Sequence, residues 1–64
     1  MQATVKIDMD NAAFADNPEG EIADILSSAA VIIADAYHAD RRAEQAALDS
    51  NGNQVALIRV TKED

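Results

Sequence analysis

Between Ile22 and Tyr37 apolar residues return at steps of three and four, as Ile22, Ile25, Leu26, Ala29, Ile32, Ile33, Ala36 and Tyr37. That period belongs to a helix with one buried stripe. Just before it, Asn17 can cap free backbone amides, Pro18 suits the first helical position, and Glu19 and Glu21 complement the positive end of the helix. Asp40 would fall on the stripe, and Arg41 and Arg42 follow where cations favour a helix C-terminus. The spacing therefore predicts a helix from Pro18 to about Ala39. In a 64-residue chain so long a helix must bury its stripe against whatever the two flanking segments build.

Both flanks read as strands. From Ala3 to Met9 the residues alternate, with Ala3, Val5, Ile7 and Met9 on one side and Thr4, Lys6 and Asp8 on the other. Asp10 to Asp16 loses the period and reads as a loop anchored by Phe14, the single Phe of the chain, which plugs one end of the core. After the helix, Asn51-Gly52 lies between two apolar stretches and fits the type I′ turn of a two-residue hairpin. That turn sets Leu48 opposite Val55, Ala46 opposite Leu57 and Glu44 opposite Arg59 on one face. Ala47, Ala56, Ile58 and Val60 take the other. The third strand is apolar on both faces and so belongs in the centre. The expected architecture is α+β: β-α-β-β, a three-stranded antiparallel sheet in the order 1-3-2, with one helix packed on one face. The chain makes one small domain over residues 1–64.

Composition narrows the function classes. Twelve acidic against five basic side chains give a net charge of −7, which repels phosphates and removes the basic footprint that direct nucleic-acid binding needs. There is no cysteine, which excludes a disulfide scaffold or a thiolate zinc site and leaves self-association as the extra source of stability for so small a core. The N-terminus lacks a basic region followed by an apolar stretch, and the strongly apolar run Ala29 to Ala34 is far shorter than a membrane span. The expectation is a cytoplasmic protein that does not enter a membrane.

Two surfaces offer themselves to a partner. One is the sheet face turned away from the helix, where Leu48, Val55 and Leu57 form an apolar centre and Glu44, Arg59, Lys6 and Asp8 a charged rim, the usual build of a protein interface. A slip of one residue in register would turn the same residues into core. The other is the helix face opposite the buried stripe, where Val31 stands among Asp24, Ser27, Ser28, Asp35 and His38.

Chemistry is sparse. Asp8-Met9-Asp10-Asn11 has the acids of a magnesium-holding strand end, but alternation sends Asp8 and Asp10 to solvent and no Lys, Ser or Thr constellation accompanies them. Asp49-Ser50-Asn51-Gly52-Asn53 opens like a calcium loop, yet its glycine is fourth instead of sixth and the closing Glu position is Val60. His38 is the single histidine, with Asp35 one helical turn earlier, so no two-histidine metal site exists. No glycine-rich phosphate loop is present. These readings point to a protein that is not an enzyme and takes no cofactor or metal.

Asp10-Asn11-Ala12-Ala13-Phe14, Asn17-Pro18, Glu21 to Leu26 and Asp49 to Val55 together make the pattern DNAAF…NP…E-x-A-x-I-L…D-x-N-G-N-x-V. It resembles a family of very short bacteriophage and prophage proteins, from which this chain departs in carrying Ala56 where a glycine is common and in a less basic helix end. The shared motifs are a loop, a helix cap and a hairpin turn. The resemblance implies a phage-encoded accessory protein in a bacterial cytoplasm. The functional expectation is a homo-oligomer that binds a protein partner, such as a host defence factor that it inhibits. The alternatives are an acidic nucleic-acid mimic that blocks a DNA-binding protein and a purely structural homodimer whose sheet face, with Leu48, Val55, Leu57, Arg59 and Glu44, is buried against its twin.

Overall fold

The computed structural model describes residues 1–62, and its elements follow in the order β1 (Gln2–Ile7), α1 (Ala12–Asp16), α2 (Pro18–Ala39), β2 (Ala43–Leu48) and β3 (Gln54–Thr61). The long helix begins and ends as its sequence dictates. The Asn17 side chain accepts a hydrogen bond from the Gly20 N–H at 3.3 Å, and Pro18 occupies the first turn. At the other end Asp40 turns left-handed, with φ 54°, and its N–H donates to the carbonyls of Ala36 and Tyr37. Replacing Asn17 by alanine is expected to lower stability by about 1 kcal/mol, measurable as a fall in the urea midpoint with an unchanged slope.

The sheet is antiparallel with β3 in the middle, in the order β1-β3-β2. Ala3, Val5 and Ile7 pair with Val60, Ile58 and Ala56, and across the other side Ala43, Gln45 and Ala47 pair with the same three. This face meets the helix. Ile58 at its centre and Ile25 on α2 are the largest fully buried side chains. Phe14, Ile25, Val55 and Ala56 form the core cluster, with Val5, Ile7, Ile22 and Ala47 packed around it. Phe14 plugs the core as expected but from a short helix rather than a loop, because the Asn11 carbonyl accepts from the N–H groups of both Phe14 and Ala15.

The stripe on α2 is narrower than its sequence promises. Ile25, Ala29 and Ala36 are buried, whereas Leu26 is 48% exposed and Tyr37 68%. The cause is the size of the sheet: α2 lies over β2 and β3 and hardly reaches β1, so one flank of the helix overhangs. Met9, expected to continue the inner side of β1, is also exposed, since that strand ends at Ile7. By length and composition α2 could span a membrane, with a mean hydropathy of 1.3. Here it packs one narrow face on the sheet, through Ile25, Ala29 and Ala36, and 17% of that apolar stretch is buried.

The hairpin departs from expectation in a way that restores its own register. The Gly52 N–H donates to the Asp49 carbonyl and the Asp49 N–H to the Asn53 carbonyl. Gly52 has φ +84° while Asn51 keeps a negative φ, so the loop is Ser50-Asn51-Gly52, a three-residue turn with glycine in the left-handed position, instead of a type I′ turn. That length pairs Leu48 with Gln54. A bulge at Val55 then inserts one residue, and from Ala47 opposite Ala56 onward the ladder regains the expected pairs Ala46 with Leu57 and Glu44 with Arg59. The bulge also turns Val55 inward, where it is 7% exposed. The expectation of Val55 on the outer face opposite Leu48 is therefore corrected.

Candidate functional site

Three connections converge at one end of the molecule through polar side chains. Asp49, 6% exposed, is their hub. Its Oδ1 accepts from the backbone N–H groups of Asn51 and Asn53, each at 2.9 Å, and its Oδ2 accepts from Asn11 Nδ2 at 2.6 Å and from Asn53 Nδ2 at 3.4 Å. Glu21, equally buried, accepts from the backbone N–H of Ser50 at 3.2 Å and from its hydroxyl. The segment after β1, the start of α2 and the hairpin loop are thus bound to one another. Donation from the Asn53 N–H above all, helped by Asn11 and Asn51 and opposed by burial, holds the Asp49 carboxyl below the ordinary aspartate range. A carboxylate saturated this way has no lone pair aimed at a ligand. Its role is to lock the loop.

The cluster gathers Asn11 after β1, Glu21 in the first turn of α2 and Asp49 to Asn53 in the hairpin loop, while Asn17 caps the helix apart from it. Each segment is one side of a structural joint. The sequence signal for it was Glu21, an acid one helical turn before Ile25 and so beside the buried stripe.

The outer sheet face is open. Leu57 sits at its centre, half-buried, next to Ala46 on β2 and Lys6 on β1. Arg59 Nε and Glu44 Oε2 form the expected cross-strand pair at 2.9 Å, both about half exposed, so the pair contributes no more than about 1 kcal/mol. A shallow hollow of about 220 Å³ is lined by Thr4, Lys6, Leu57 and Arg59. A second, of about 390 Å³, shares Lys6 and Leu57 and continues toward Asp8 and Gln54. Together they make a groove along β1 and β3. With Val55 inside, the apolar centre has shrunk to Leu57 and Ala46, and Leu48, 59% exposed, lies at the β2 edge.

The second expected surface is present as a stripe. Asp24, Val31, Asp35 and His38 are all exposed on one flank of α2, with Val31 70% accessible. Asp35 pairs with Arg41 at 2.6 Å and not with His38. The imidazole instead meets the Tyr37 ring edge-on at a centroid distance of 5.7 Å. Asp8 accepts the Asp10 N–H of its own turn at 3.1 Å. Among the described residues, no three acidic or histidine side chains gather where they could hold a metal ion.

No family model, curated protein or solved structure matches this chain.

Proposed function

We propose that the chain is a non-enzymatic binding domain, a phage or prophage accessory protein of the bacterial cytoplasm, which takes a protein partner on the outer face of its sheet. The observation that carries this reading is the pair of shallow hollows that adjoin over Lys6 and Leu57. It offers one apolar contact, Leu57, beside the cationic Lys6, with Arg59 paired to Glu44 and Asp8 at the other end. Such a groove takes a segment with an apolar side chain and an acidic neighbour, while the ring of polar groups excludes water from the contact. Inhibition of a host defence factor fits the design, because occlusion requires a complementary surface and no catalytic group.

Nucleic-acid mimicry is the weaker reading. Mimicry needs free carboxylates at phosphate-like intervals, and Asp24 and Asp35 stand about 16 Å apart along the helix with Asp35 tied to Arg41.

The test is capture of partners from a bacterial lysate at low and high salt, using wild type, Leu57→Asp and Val31→Asp. One abundant protein retained at high salt, lost with Leu57→Asp and kept with Val31→Asp, is the expected result. A set of DNA-binding proteins released by salt would establish mimicry instead.

A further inference from the structure

The overhanging flank of α2 has the pattern of a surface made to meet itself. Leu26, Ala30, Ile33 and Tyr37 follow one another at steps of four, three and four, with Ala23 and Ala34 beside them. None of the six is fully buried, and the flank carries no charge between Glu19 and Asp40. The opposite flank holds Asp24 and Ser28 and lies along β2, so the apolar flank hangs over the β1 side, which α2 hardly reaches.

We infer that this flank joins two copies of the chain through antiparallel pairing of their α2 helices about a two-fold axis near Ala30. A residue numbered n then faces residue 60 − n of the other copy. Tyr37 falls opposite Ala23 and Leu26 opposite Ala34, so each large side chain meets a small one, and Ala30 meets its own twin. Parallel pairing would set Tyr37 on Tyr37 and Leu26 on Leu26. The same two-fold axis opposes the two helix dipoles and brings Glu19 to the end of the partner helix followed by Arg41, which also pairs with Asp35, and Arg42. Charge and size thus complement each other in one register.

The surface of the monomer agrees. It exposes 4439 Å², roughly a tenth more than a compact chain of 6.8 kDa would. Its radius of gyration is 12.5 Å, against about 10.7 Å for a compact domain of this length. The inference does not rest on the groove over Leu57, which lies on the far side of the sheet and stays open in the pair.

Sedimentation equilibrium over micromolar to millimolar concentrations tests it. The expected mass is twice 6.8 kDa, and Leu26→Glu, an exposed position where folding is verified by circular dichroism, should raise the dimer dissociation constant at least about thirty-fold. The absence of cysteine permits a second readout independent of that variant. Ala30→Cys should oxidise rapidly to a covalent dimer, while Ala23→Cys and Ala34→Cys, each alone, should not. A monomer at every concentration would overturn the proposal, as would a dimer unaffected by Leu26→Glu or cross-linking at all three positions. Leu26-dependent co-sedimentation of a monomer with phosphatidylcholine vesicles would also overturn it, making a lipid surface the occupant.

Discussion

Ile58→Ala is expected to remove about 2–5 kcal/mol of stability, a large share of the roughly 3–10 kcal/mol that a domain of this length has in total. Ile58 has no exposed surface and sits on the central strand between Val5 and Gln45. With only three strands and one long helix around it, little can move in to fill the void. Leu57→Ala, one residue away on the outer face, should cost less than about 1.5 kcal/mol, since its side chain is half in solvent already. Urea unfolding of the two variants reads the difference directly. Equal losses would mean that the helix covers the other face of the sheet.

The second large effect belongs to Asp49. Asp49→Ala removes the acceptor for two backbone N–H groups of the loop and for Asn11 Nδ2, leaving donors unpaired in a partly buried site. The expected result is a Tm lowered by several degrees or more, together with faster amide exchange at Asn51 and Asn53. A pH dependence accompanies it. The folded-state pKa of Asp49 lies below its unfolded value, so the carboxylate's contribution is fully present above the ordinary aspartate range near pH 4 and is lost as pH falls through the lowered value. Thermal melts of wild type between pH 2 and 6 should show this acid-side loss, and Asp49→Asn should flatten it. An Asp49→Asn profile that parallels wild type would assign the acid sensitivity to other carboxylates.

The helix was legible because its signals are local. Asn17, Pro18 and the three-and-four spacing act within a few residues of where they stand, and so does the stop at Asp40. The sheet order was legible because β3 is apolar on both faces and can only be central. The hairpin was not, for a physical reason: Asn51-Gly52 suits a two-residue and a three-residue loop equally, and the choice falls to Asp49, whose carboxylate is held by Asn11 from 38 residues away. No local pattern records that contact. Its consequence, the bulge at Val55, took one of the three expected apolar residues out of the outer face and left Leu57 with the Glu44–Arg59 pair. The exposure of Leu26 and Tyr37 was equally hidden, because the width of a helical stripe says nothing about how many strands lie beneath it.

The result is a domain with separate duties for its surfaces. One end is a polar joint built from Asn11, Glu21 and the loop from Asp49 to Asn53, which fixes the shape. In the proposed reading the groove over Leu57 takes a partner, and the apolar flank of α2 a second copy. Substitutions in the joint should therefore act on stability and those in the groove on binding, with little exchange between the two classes.

Nuclear magnetic resonance of the labelled chain, titrated with the partner recovered at high salt, tests the binding assignment most directly. The expected shift changes centre on Thr4, Lys6, Ala46, Leu57 and Arg59. Changes centred on Asp24, Val31, Asp35 and His38, with the sheet unmoved, would contradict it and move the binding surface to the acidic flank of the helix.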